Sequence, residues 1–240
     1  MPVFRNIWSF VEDIHKRTPR RDIIRNNVLM VGAGGIGSWL AVFTALQMRV
    51  EGTIVIVDDD RVKPHNLNRF PYPFKSAVDE ESKAKTIAAF IQGFRPDIKT
   101  VVIPRRIRGV DDLDMLIGQF WTDIVVDATD NPIASNYIRQ LTGLNRLLAH
   151  YDGKSITVEW IPHGKEDTSW DGDVETAGYR VFPSLSYPPA IAAAIGVTLM
   201  IRHPDKHYII QIRNIEREFR RYRVCVVRSR RKKSEGGEGR

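Results

Sequence analysis

Cysteine is nearly missing from this chain: 240 residues contain one, Cys225. A single thiol rules out an internal disulfide and any zinc site built from paired cysteines, so no zinc is expected. Long apolar runs are missing too; none reaches the roughly 18 residues that suggest a membrane-spanning helix. The opening Met1-Pro-Val-Phe-Arg-Asn-Ile-Trp-Ser-Phe10 lacks the apolar stretch and small-residue cleavage site of a secretory signal. The expected setting is the cytoplasm, with no membrane. Most of the chain also lacks net charge. The whole surplus of +7 falls within Ile212–Arg240, where 11 Lys+Arg face 4 Asp+Glu. Such a stretch reads first as solvated surface, with contact to nucleic acid or to an acidic partner as the alternative.

What is present points to an α/β protein. Hydrophobic residues at 42% and charged residues at 27% describe an ordinary globular chain. Short apolar runs at Val28–Val31, Thr53–Val57, Thr100–Ile103 and Ile124–Asp127 read as buried strands. Helical spacing alternates with them over Ser38–Met48, Glu80–Phe94 and Asp111–Phe120. Asn131–Leu148 reads as a helix broken at Gly143, followed by a strand at Ser155–Ile161, a small-residue helix at Ala190–Ile201 and late strands at Tyr208–Ile212 and Tyr222–Val227. The alternation predicts a doubly wound, mostly parallel, Rossmann-like sheet with a smaller C-terminal β extension. Residues 1–27 form a helical lead-in, 28–228 the main domain with a long crossover at Pro162–Pro189, and 229–240 a basic, disordered tail.

The chain is organised around Val28-Leu-Met-Val-Gly32-Ala-Gly34-Gly35-Ile-Gly37. A strand that ends in a glycine-rich turn and opens a helix lets backbone N–H groups and the helix dipole meet a phosphate. Asp58 follows the second strand, 21 residues after Gly37, where an acid accepts hydrogen bonds from ribose hydroxyls. To this point a nicotinamide-dependent oxidoreductase fits equally well. The run Asp58-Asp-Asp60-Arg-Val-Lys-Pro-His-Asn66-Leu-Asn-Arg69, then Lys83, then Asp127-Ala-Thr-Asp130-Asn131 changes that. An Arg, a Lys and an Asp at the carboxyl ends of strands suit a triphosphate with magnesium, which hydride transfer does not need.

These linked motifs resemble the ThiF/MoeB superfamily, the ubiquitin-activating-enzyme type of adenylating domain, over about Asn26–Leu148 and more weakly to Gly196. The resemblance implies ATP-dependent adenylation of the C-terminal carboxylate of a small ubiquitin-like protein or peptide, with release of pyrophosphate. It implies that Asp58 holds the ribose, that Asn66, Arg69 and Lys83 contact phosphates, and that Asp130 binds magnesium or orients the attacking carboxylate. Gly32, Gly34, Gly35, Gly37, Asp60 and Asn131 complete the implied nucleotide set. It also implies a homodimer in which an N-terminal arginine (Arg5, Arg17, Arg20, Arg21 or Arg25) reaches the partner's ATP.

The chain departs from the family's pattern in three ways. It has no paired cysteines for zinc, no cysteine in Pro162–Pro189 for a self-thioester, and Ser135 where an arginine often follows Thr-Asp-Asn. Cys225, in the alternating Tyr222–Val227, reads as a sheet residue. The His203/His207 pair reads as a solvated loop. Besides the oxidoreductase, a non-catalytic partner or scaffold subunit of the same family stands as an alternative.

Overall fold

The computed structural model describes residues 23–70, 72–151, 155–167 and 187–213, and the backbone of 225–228. The expected amphipathic segment Ile7–His15, the arginines at 5, 17, 20 and 21, most of the crossover and the basic tail lie outside the described residues.

Eight strands form one sheet in the order β3-β2-β1-β4-β5-β6-β7-β8. They are β1 (Asn27–Val31), β2 (Thr53–Val57), β3 (Lys99–Ile103), β4 (Thr122–Asp127), β5 (Asn145–Tyr151), β6 (Ile156–Ile161), β7 (Tyr208–Ile212) and β8 (Cys225–Arg228). β1 to β5 pair in parallel, and β6, β7 and β8 are added antiparallel. The doubly wound sheet with its β extension is therefore present. Among the described residues six α-helices accompany it: α1 (Gly35–Gln47), α2 (Phe74–Val78), α3 (Lys83–Phe94), α4 (Val110–Phe120), α5 (Pro132–Gln140) and α6 (Tyr187–Arg202).

Period-two alternation along the buried strands feeds two cores. Val28 and Met30 of β1 pack with Ile54 and Ile56 of β2 under α1, α3 and α6, through Leu40, Ile87 and Val197. Leu29 and Val31 pack with Val55 and Val57 under α4 and α5, through Leu113 and Ile138. The strands are apolar on both faces because both faces are covered.

One expected element is corrected. Asn131–Leu148 is not a broken helix: α5 stops at Gln140 and β5 occupies Asn145–Tyr151. Leu147, Leu148 and Ala149 are all buried, so no apolar stripe separates helix from strand. Hydrogen-bonded partners on both sides, β4 and β6, decide the matter. The helix after the glycine turn also begins three residues earlier than its spacing suggests, at Gly35. The glycines themselves form its first turn.

Candidate nucleotide-binding site

The glycine turn is folded back on itself at the carboxyl end of β1. Gly32 has φ +96°, and a Cβ there would lie 2.6 Å from the carbonyl oxygen of Ala128. A Cβ on Gly37 would lie 1.9 Å from the oxygen of Gly32. Gly34 is different: among the described residues a Cβ there would meet nothing within 4 Å. Gly34 is also the N-cap of the 13-residue α1, with no side-chain cap and no acid in the first turn. The positive end of α1 therefore has no side chain of its own first turn to neutralise it, an arrangement able to take an anion.

Two side chains from elsewhere fix the turn. Ser38 Oγ and Tyr72 Oη each lie 2.9 Å from the oxygen of Ala33 and 2.7 Å from one another. Two hydroxyl protons serve three contacts, so at most two of them are hydrogen bonds at once. Burial pushes the Tyr72 hydroxyl well above its usual range, keeping it a donor. Trp39 Nε1 donates to the oxygen of Arg69 at 2.8 Å, and Phe70 stacks edge-on between Trp39 and Tyr72. Sequence pattern did not mark Tyr72 or Trp39, since neither lies in a motif.

The acids and bases expected at this site assemble around the turn. Asp58, at the end of β2, accepts the Ala33 N–H at 2.6 Å on Oδ2 and the Asp60 N–H at 2.7 Å on Oδ1. Burial still pushes its pKa up, against these hydrogen bonds and the charge of Lys83. Lys83 is the first residue of α3, whose N-cap is Ser82, and its Nζ lies 2.7 Å from Oδ2 of Asp60. Desolvation of the Asp60 carboxyl is outweighed by Lys83, Arg106 and Lys63, so its pKa falls below the usual value. The Arg69 side chain lies over the helix start, its Cδ 3.1 Å from where a Gly35 Cβ would be. Asn66 is buried, and its Oδ1 accepts the Lys63 N–H at 2.9 Å, so that oxygen serves the turn. Burial, then the positive charges of Arg69, Lys63 and Lys83, holds His65 below its ordinary pKa. Three cations thus gather on this side of the turn, while aspartates line the cleft beyond it.

A cleft at the carboxyl edge joins Gly32, Asp58, Asp60, Asp130 and Asn131, with a floor of Val31, Val57, Ile107 and Ala134. Arg105 and Arg106 line it as well, and nothing in the motifs named them. Asn131 caps α5, its Oδ1 accepting the Ile133 N–H at 3.0 Å. Asp58, Asp59 and Asp60 place carboxylate oxygens within 4.8 Å of one another, a hard donor set of the kind magnesium takes. Each already has a partner: backbone N–H groups for Asp58, Arg106 for Asp59 and Lys83 for Asp60. Asp130 is exposed and, among the described residues, its carboxylate has no hydrogen bond or ion pair. It is the acid of the cleft best suited to a cation.

Arg25, the one of the five N-terminal arginines within the described residues, lines a hollow with Asn26, Asp123, Asn145 and His203, at the amino ends of the parallel strands. One expectation comes out differently. His207 is not solvated: its Nε2 lies 2.5 Å from Oε1 of Glu159, in a buried cluster where Arg139 bridges Glu159 and Asp167. Its partners come from α5 and β6, which is why spacing alone did not find them.

Residues 8–153 match the model of the ThiF family. The SAMP-activating enzyme E1 of Haloferax volcanii is 33% identical over 112 residues, covering 45% of this chain and 38% of that protein. The sulfur carrier protein ThiS adenylyltransferase of Escherichia coli is 29% identical over 112 residues, covering 47% of this chain and 42% of that protein. The chain thus spans less than half the length of these relatives. The E. coli MccB structure with MccA-N7isoASN superposes with a TM-score of 0.69 at 18% identity, over 86% of this chain and 65% of that one. At that identity the likeness is one of fold.

Proposed function

The chain belongs to the ThiF family, and from that premise we propose that it uses ATP and magnesium to adenylate the C-terminal carboxylate of a small ubiquitin-like protein or a peptide. The observation that carries this reading is the convergence, at one carboxyl edge, of the helix N-terminus at Gly34, Asp58 tied to the turn, Lys83 on Asp60, Arg69 over Gly35 and Asp130, which has no partner among the described residues.

The chemistry follows from the charges. A carboxylate oxygen attacks the α-phosphorus, an acyl–O–P bond forms, and the bond to pyrophosphate breaks. Both reactants are anions, so the work is neutralisation and in-line placement. Asp58 would accept from the ribose hydroxyls. The N–H groups at the start of α1, with Arg69, Lys83 and Asn66, would hold the phosphates. Asp130, with Asn131 beside it, would hold magnesium, which supplies neutralisation of the departing pyrophosphate. The adenylating unit would span 28–228 and act in the cytoplasm as a homodimer, passing the acyl group to an external nucleophile without a thioester of its own. The relatives' names support a protein or peptide substrate: the Haloferax enzyme is named for SAMP and the E. coli enzyme for ThiS.

Equilibrium binding tests the reading. ATP with magnesium should bind in clear preference to NAD, because Arg69, Lys83 and Asp130 have no task in hydride transfer. Preference for NAD would leave only the glycine turn and Asp58 explained, and would end the adenylation reading.

A further inference from the structure

Behind the β4–α5 turn lies a group of side chains that adenylation itself does not use. Asp127, the last residue of β4, is fully buried. Its Oδ1 accepts the Thr129 N–H at 3.1 Å, and its Oδ2 accepts the Ser135 hydroxyl. His150 Nε2 stands 3.5 Å from the same Oδ2. The imidazole comes from β5, one residue before its end, and its side chain is 34% exposed. One edge of the ring thus faces a buried carboxylate while part of the ring is open. Among the described residues no other group pairs with it.

The place of this pair matters as much as its geometry. Through Thr129, the Asp127 carboxylate holds the turn that carries Asp130 into the cleft. His150 therefore stands beside the carboxylate that holds the Asp130 turn, at the carboxyl edge where open α/β sheets bind ligands. Thr129 and Ser135 already satisfy Asp127 with two hydrogen bonds, so the imidazole is not needed to keep the acid bonded. A carboxylate facing Nε2 favours the tautomer with its proton there and leaves the ring's lone pair on Nδ1.

We propose that His150, oriented by Asp127, is the general base for the transfer step that follows adenylation. The proposal rests on the adenylation reading above. An acyl-adenylate must pass to an acceptor X–H, and at neutral pH an amine, hydroxyl or thiol acceptor is poorly nucleophilic while it keeps its proton. In the step, X attacks the acyl carbonyl carbon and the X–C bond forms. The bond from that carbon to the phosphate oxygen breaks, its electron pair leaving with AMP. The proton of X passes to Nδ1, and Asp127 stabilises the imidazolium. Nothing is oxidised or reduced.

The test separates the two half-reactions. A panel of small β-grasp proteins ending in Gly-Gly serves as carboxylate probe, with ATP–pyrophosphate exchange reporting adenylation and dithiothreitol as the thiol acceptor. His150→Gln should keep the exchange rate while transfer falls about 100-fold, the lower range for a lost general base. His150→Ala should regain part of the transfer rate on addition of imidazole, which a purely structural role would not allow. Unchanged transfer in His150→Gln, equal loss of exchange and transfer, or a loss that imidazole leaves untouched would each overturn the proposal. Absence of exchange by the wild-type protein across the panel would instead remove the adenylation reading, and the base with it.

Discussion

Asp130 lines the cleft and Lys83 pairs with the cleft's Asp60, but the two differ in what holds them. Asp130 is exposed and unpartnered among the described residues, whereas Lys83 is buried and bound to Asp60. Asp130→Ala should therefore abolish pyrophosphate exchange and leave stability within about 0.5 kcal/mol, the range of surface changes. Thermal melting of the apo protein checks the second half, and a large fall would make Asp130 a structural residue. Arg69→Ala should also abolish exchange, but its aliphatic stem covers Gly35, so a small loss of packing accompanies it. The Asp60–Lys83 pair has its own pH signature. The Asp60 pKa is lowered, so the pair's contribution is present above the ordinary carboxylate range and is lost as pH falls through the depressed value. Carboxyl NMR should show Asp60 titrating below the usual Asp range in wild type, and moving up in Lys83→Met.

At this scale the motifs showed which residues converge, since Gly32–Gly37, Asp58, Lys83 and Asp130 all meet the same edge. They did not show how each is held. Asp127 stood inside a quoted motif with no role, and Ser135 counted only as a missing arginine. Tyr72, Arg106 and His150 carry no local signal, because their partners lie 39, 47 and 23 positions away.

Helix α1 is the element on which the site depends, and its two ends are treated oppositely. Its start carries no side-chain cap, but its end is bound tightly. Arg95, at the C-cap of α3, donates to the carbonyl oxygens of Ala45 and Met48 at 2.5 and 3.1 Å, while Asp97 pairs with it at 2.6 Å. Both charged residues are buried. A cation at a helix C-terminus also complements the dipole. Arg95→Ala should cost about 3–5 kcal/mol, because it strands a buried carboxylate and two carbonyl groups together. Urea unfolding measures this, and a loss near zero would mean that water replaces the guanidinium. Long, one-sided helices such as α3 were legible in sequence because period 3.6 has a polar face to contrast with. The region from Asn131 to Leu148 was not, because the middle of β5, Arg146 to Ala149, is buried on both faces and its identity is set by its neighbours.

For the whole molecule, the sheet order bears on the single cysteine. Cys225 pairs with Gln211, which pairs with Thr157, which pairs with His150. It therefore lies in the same row of the sheet as the imidazole, at the cleft end, yet three strands away. At about 4.8 Å between strands, that separation is roughly 14 Å. The backbones of β6 and β7 lie between, and β8 is paired with β7, so bringing residue 225 to the end of β5 would require β8 to leave the sheet. That movement would break the β7–β8 ladder with no gain visible in the fold. Sequence alternation placed Cys225 on a strand, but only the register shows which end of the sheet it is near. Cys225→Ser should accordingly leave both adenylation and transfer intact, and wild-type protein incubated with ATP and a Gly-Gly-terminated β-grasp protein should yield no reducible adduct by mass spectrometry. A thioester mapped to Cys225 would show that β8 detaches during turnover, and the acyl group would then pass through the protein rather than directly to an external acceptor.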